Sequence, residues 1–156
     1  GEHAAFPGTL SIGTTVMEQY VIELVRSADW SAGVVLVNGH GGNRAPVSNA
    51  ARLLRTEHRR VLPWWPHVAD GDAHAGDTET SLMLALAPQF VRMDALEVGN
   101  TEPMSVLADT LRTQGVRAVS ENGILGDPRH ASASRGRALF TALSIDLFAA
   151  VDEWWE

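Results

Sequence analysis

Three stretches of this chain gather side chains able to do chemistry. Asn38-Gly39-His40-Gly41-Gly42-Asn43 sets one imidazole among glycines, which free the backbone to adopt positive φ and leave space beside the ring. Asp70-Gly71-Asp72-Ala73-His74-Ala75-Gly76-Asp77-Thr78-Glu79-Thr80-Ser81 is dense in ionisable groups. Glu2-His3 adds a carboxylate and an imidazole directly ahead of the Pro7-Gly8 turn. Imidazoles and carboxylates can hold a divalent metal or move protons, and a chain with no cysteine has no thiolate to offer instead. Taken singly, each stretch reads equally well as a solvated loop or a set of capping carboxylates.

The elements that must position these groups follow from hydrophobic patterning. Val34-Val35-Leu36-Val37 is an apolar run expected to form a strand buried on both faces in a parallel sheet, so the turn carrying His40 falls at a strand's carboxyl end. In open α/β sheets ligands bind there. Thr15 with Glu18 reads as a capping box for a helix ending near Asp29, built on Val16, Met17, Tyr20, Val21, Leu24, Val25 and Ala28. A second helix follows Asn43, with Pro46 in its first turn, Val47, Ala50, Ala51, Leu53 and Leu54 on its apolar face, and His58 on its wet side. Arg59 to Trp65 reads as a second parallel strand, pushed by Pro63 toward a sheet edge or strand end, with Trp64 and Trp65 placed to wall a pocket or simply to pack.

His74 and Glu79 are five residues apart, a spacing that would put them on different faces of one continuous helix. We therefore expect His74 on a loop and Glu79 in the first turn of a buried helix over Leu82–Ala87, with Gly76 letting the loop bend until both face one point. The helix dipole keeps a carboxylate there ionised, which suits a metal ligand. Gly115 to Ser120 reads as a third short strand. Ser132 or Ser134 is expected to cap a last helix whose Leu139, Phe140, Leu143, Leu147, Phe148 and Val151 form one apolar stripe covering the sheet.

Composition narrows the function classes. The length of 156 residues and 45% hydrophobic content fit a single globular domain, expected to be an α/β three-layer α/β/α fold with a mostly parallel sheet. Twelve Lys and Arg against 19 Asp and Glu leave a charge of −7, which disfavours a nucleic-acid partner. No apolar run reaches the roughly 20 residues that span a bilayer, so no membrane partner is expected. The absence of cysteine fits a reducing cytoplasm.

Phe6-Pro7-Gly8-Thr9, Asn38 to Asn43, His74 to Ser81 and Gly123-Ile124-Leu125-Gly126-Asp127-Pro128 occur in an order and spacing that resemble the creatininase family of metal-dependent amidohydrolases. The resemblance covers essentially the whole chain. Within the family the wording is most similar to members that trim the modified carboxyl-terminal end of a small precursor peptide. The resemblance implies a site with two divalent metals such as zinc, iron or manganese. It implies His40 as a metal ligand, His74 as the catalytic histidine, and Glu79 as a ligand beside the second metal that shares in catalysis. Substrate contacts fall to Glu2, His3, Gly41, Gly42, Asn43 and Trp65. The family also implies a closed homo-oligomer.

Two departures qualify it. Gly42 stands where creatinine-hydrolysing members carry a glutamate ligand, which makes creatinine a poor candidate substrate. The family's Glu-x-His and Asp ligands belong to an amino-terminal segment absent from this sequence, so these residues alone are expected to bind metal weakly and turn over negligibly. A peptide or small-amide hydrolase is the leading expectation. A cyclic-amide hydrolase or deformylase, an inactive assembly fragment, and a nucleotide- or anion-binding module remain open. The last is disfavoured because the glycine-rich turn has no lysine and no Gly-x-Gly-x-x-Gly spacing.

Overall fold

The computed structural model describes residues 1–156. β1 (Val34–Val37) and β2 (Val61–Trp64) pair in parallel, Val34 opposite Val61 and Val37 opposite Trp64, joined by helix α2 (Arg44–Thr56). A parallel pair needs such a crossover, since a tight turn cannot reverse the chain twice. Helix α1 (Gly13–Ser27) precedes them, and α3 (Asp77–Leu86), α4 (Met104–Gln114) and α5 (Ala133–Trp155) follow. The fold class is α/β, as expected. None of these helices is long and apolar enough to cross a membrane.

Two units are distinguishable. The first comprises Gly1, residues 10–66 and residues 146–156. Its core joins Val21, Ile22 and Val25 of α1 to Val47, Ala50, Ala51 and Leu54 of α2 and to Val61 of β2. The i, i+3, i+4, i+7 spacing on α2 puts those four side chains on one stripe, and fully burying the Leu54 side chain contributes about 2 kcal/mol. Buried Trp64 donates its indole N–H to Asp146 at 2.8 Å, which satisfies the one polar atom of the ring. The second unit comprises residues 2–9 and 67–145. Here Gly136 of α5 is buried against α3, so close that a β-carbon would overlap the Ser81 carbonyl oxygen. Ser81 in turn accepts the N–H of Ser132 on its hydroxyl at 3.1 Å.

Several expectations need correction. β1 is only partly buried and Val37 is 60% exposed, because its sheet has two strands rather than neighbours on both sides. No capping box forms at Thr15: α1 starts at Gly13 without a side-chain cap, and Glu18 accepts from Asn49 on α2 instead. Leu53 is exposed, whereas Leu54 is fully buried. Residues 115–120 are not a strand. Val116–Ala118 is a short 3-10 turn in which the Ala118 N–H reaches the Gly115 carbonyl and the Val119 N–H the Val116 carbonyl, a reminder that a short apolar run does not choose between periods. On α3, Met83 and Leu86 lie exposed rather than buried. On α5, Phe140 and Phe148 are exposed as well, so its apolar stripe is only half covered, although Ser132 caps it as expected by accepting the Arg135 N–H.

Candidate active site

The chemistry of the second unit centres on the loop ahead of α3. His74 is pinned there by its own backbone, which forms an antiparallel bridge with Leu125: its N–H reaches the Leu125 carbonyl at 3.2 Å and its carbonyl accepts from Leu125 at 2.8 Å. The Gly123–Pro128 turn is thus a clamp on the histidine. That turn is itself held by Gly99, which donates to the Gly126 carbonyl at 3.0 Å and packs so tightly on Ile124 that only glycine fits.

Beyond His74 the chain reverses through Ala75, a non-glycine residue at φ 53°, before α3 begins. Such a conformation costs on the order of 1 kcal/mol and persists only where neighbours enforce it. Here Glu79 does so, accepting the Ala75 N–H at 2.5 Å. The same oxygen, Oε2, lies 3.3 Å from His74 Nδ1. The two side chains therefore face one point as the spacing predicted, from a loop and a helix's first turn respectively. The Glu79 carboxylate raises the His74 pKa above its usual 6.5, outweighing partial burial, with a smaller push from Glu2. Both side chains keep substantial solvent contact, 37% and 45% exposed, so a substrate or ion can reach them.

Asp72 is a capping carboxylate, one of the two readings its stretch allowed. It accepts the backbone N–H of Thr78 at 3.0 Å and that of Asp77, capping α3 in place of any side chain at the Gly76 N-cap. Gly76 and Gly126 close over its carboxylate, where β-carbons would overlap it. Asp77 pairs with Arg135. Only Glu79, of the acids in the first turn of α3, is directed to the histidine.

Glu2 and His3 belong to the same unit. Their segment is tied down by Val116, whose N–H reaches the Glu2 carbonyl at 2.8 Å, and by Arg117, which donates to the Ala5 carbonyl and stacks over Phe6. The His3 ring lies 4.9 Å from the His74 ring, centroid to centroid. His3, His74, Glu79 and the charge of Glu2 thus form one neighbourhood of the second unit.

His40 lies in the first unit, at the carboxyl end of β1 as expected. Asn38 shapes the turn: its amide donates to the His40 carbonyl at 2.9 Å and its oxygen accepts the His40 N–H at 3.4 Å. Gly41–Asn43 then make one 3-10 turn into α2. Contrary to expectation none of these glycines has positive φ; their use is room, since open space lies where Gly39 or Gly41 would carry a β-carbon. Trp65 is half-buried against the core of this unit, with Arg44 5.5 Å above its ring.

Sequence reasoning did not single out Ala75 or Leu125 as the residues that aim His74. The Gly-Asp-Ala-His-Ala-Gly wording offered a signal, because a glycine after His-Ala marks a bend.

The family model described as creatinine amidohydrolase matches residues 1–151. The chain belongs to the creatininase family. Among its curated relatives are the mycofactocin precursor peptide peptidases of Mycolicibacterium smegmatis and Mycobacterium tuberculosis. Each is 46% identical over 156 residues, or 99% of this chain, covering 63% and 62% of those proteins respectively. This creatininase-family chain therefore spans less than two thirds of the length of the curated relatives it matches. A crystal structure of creatinine amidohydrolase superposes with a TM-score of 0.74 at 23% identity, over 96% of this chain and 67% of that one, which carries the fold.

Proposed function

We propose that this creatininase-family chain acts in the metal-dependent hydrolysis of an amide bond, as the peptidase that trims a mycofactocin precursor peptide. The observation that carries the reading is the His74–Glu79 pair, a half-exposed imidazole whose protonated form is favoured by a carboxylate beside it, in a chain 46% identical to peptidases of that name.

The residues fit a metal. Imidazole and carboxylate donors without any thiolate suit zinc, iron or manganese, and Glu79, at the first turn of α3, keeps its charge where an ion can reach it. We assign His40 and Glu79 each as a metal ligand, the complete family site holding two ions. A bound ion would polarise the carbonyl and lower the pKa of water. The remaining steps fall to the chain. His74, whose pKa the neighbouring Glu79 raises above its ordinary value, delivers a proton to the departing nitrogen, without which an amine leaves poorly. Ala75 and Leu125 hold the imidazole in place, so the proton travels no further than the bond being cut. His3, Glu2, the open turn at Gly41, Gly42 and Asn43, and Trp65 are assigned to substrate contacts. We further place the protein in the cytoplasm as a homo-oligomer, consistent with no cysteine and with exposed apolar residues along α5.

The test is hydrolysis of a precursor-like peptide by the chain joined to the family's amino-terminal ligand segment and supplied with zinc, iron or manganese, followed by mass spectrometry. Cleavage that a chelator abolishes supports the reading; cleavage indifferent to the chelator, or none with any metal, overturns it.

A further inference from the structure

Asparagine precedes glycine twice in this chain, at Asn38-Gly39 and at Asn122-Gly123. An asparagine so placed can react with its own main chain: the glycine nitrogen attacks the side-chain carbonyl carbon, an approach that no β-carbon obstructs and that the free backbone of glycine permits. Local structure governs whether the attacking geometry is reached. The two dipeptides differ in this respect.

At Asn122-Gly123 the reacting groups are engaged elsewhere. The Gly123 N–H is donated to the Ser120 carbonyl at 3.2 Å, and Gly123 sits at φ 83° with the Phe6 ring against the place of its missing β-carbon. The Asn122 amide donates to the Val98 carbonyl at 3.1 Å, while its oxygen accepts the Ser120 hydroxyl at 2.9 Å and the Ile124 N–H at 3.1 Å. Both partners of the reaction are held.

At Asn38-Gly39 they are not. The Gly39 N–H meets no acceptor of the chain, Gly39 has no positive φ, and open space lies where its β-carbon would stand. The Asn38 side chain bonds only to His40, donating to its carbonyl at 2.9 Å and accepting its N–H at 3.4 Å. Both bonds span Gly39, so the side chain folds back along the peptide whose nitrogen must attack, and the N–H given to its oxygen polarises the carbonyl.

We propose that Asn38 is a site of spontaneous modification, passing through a succinimide to isoaspartate and aspartate, and that this conversion dismantles the turn presenting His40. The Gly39 nitrogen bonds to the Asn38 side-chain carbon and gives up its proton, and the amide nitrogen leaves as ammonia. Water then opens the ring at either carbonyl, so that the chain continues through the side chain or through the original backbone. In both products a carboxylate replaces the amide, and the donor to the His40 carbonyl is gone. The isoaspartyl form also lengthens the main chain by a methylene just ahead of His40. Only a resulting loss of metal uptake rests on the hydrolase reading, in which His40 is a ligand.

Incubation of the whole chain at neutral pH and physiological temperature, followed by peptide mapping that separates asparaginyl, aspartyl and isoaspartyl forms, tests the site. Asn38 should convert at least tenfold faster than Asn122. Gly39→Ala, which the open space accommodates, should slow the conversion of Asn38 at least tenfold. The NMR amide signals of residues 38–43 should be replaced in step with conversion in the parent and persist in that variant. No conversion at Asn38, equal conversion of the two asparagines, or undiminished conversion in Gly39→Ala would overturn the site, and unchanged amide signals in the converted chain would overturn its effect on the turn. Full zinc uptake by converted chain with an altered turn would count against His40 as a ligand and leave the modification standing.

Discussion

His74 Nδ1 lies 3.3 Å from Glu79 Oε2, the oxygen that also accepts the Ala75 N–H. One carboxylate therefore governs both the charge of the imidazole and the bend that presents it. Because the folded-state pKa of His74 is raised, the pair's contribution to stability is complete below the ordinary histidine value of 6.5 and fades as pH rises through the folded value. In metal-free protein, Glu79→Gln should lower the His74 midpoint in an NMR titration. An unmoved midpoint would remove Glu79 as the cause.

Asp72 is the cap of α3 rather than a member of the reactive group. Asp72→Ala should cost about 1–2 kcal/mol in denaturant unfolding, the usual loss for an N-cap. Asp72→Asn, which keeps one acceptor, should recover most of it. Equal losses in the two variants would mean that charge, not capping, is what matters there.

Gly136 is the contact point of α5 on α3, against the Ser81 carbonyl. Gly136→Ala would ordinarily favour a helix by about 1 kcal/mol. Here we expect net destabilisation of about 1–3 kcal/mol from overpacking, read as a lower Tm. A raised Tm would show that the helices have slack.

The helices and strands bearing the chemistry were legible because their patterns were strong: four consecutive apolar residues ended by a glycine-rich turn gave β1 and the place of His40, and Pro88 gave the end of α3. The separation of His74 onto a loop and Glu79 onto a helix followed from helical geometry alone. What the sequence did not reveal was long-range. Nothing local indicates that Leu125 clamps His74 from 51 residues away, or that Gly99 seats against Ile124. The third strand failed for the opposite reason: Val116 and Val119 have strand-like side chains, but the Val116 N–H is claimed by the Glu2 carbonyl, a partner invisible in the run itself.

Arg129 holds the Asp127 carboxyl at a pKa of about 2, below its ordinary 3.8. A lowered folded value means the pair's contribution is present above the ordinary value and lost as pH falls through about 2. The pair is solvent-facing, so its effect on overall stability is small. Arg129→Met should return the Asp127 midpoint toward 3.8 in a carboxyl NMR titration. A midpoint still near 2 would assign the effect to the Arg129 backbone N–H instead.

The most direct check on the proposed chemistry is zinc and manganese uptake at equilibrium by the 156-residue chain beside its His40→Ala and Glu79→Gln variants, with folding verified by circular dichroism. Each substitution should weaken uptake markedly, whatever the starting affinity, because each removes one proposed ligand. Undiminished uptake by both folded variants would contradict the assignment of these residues to a metal site.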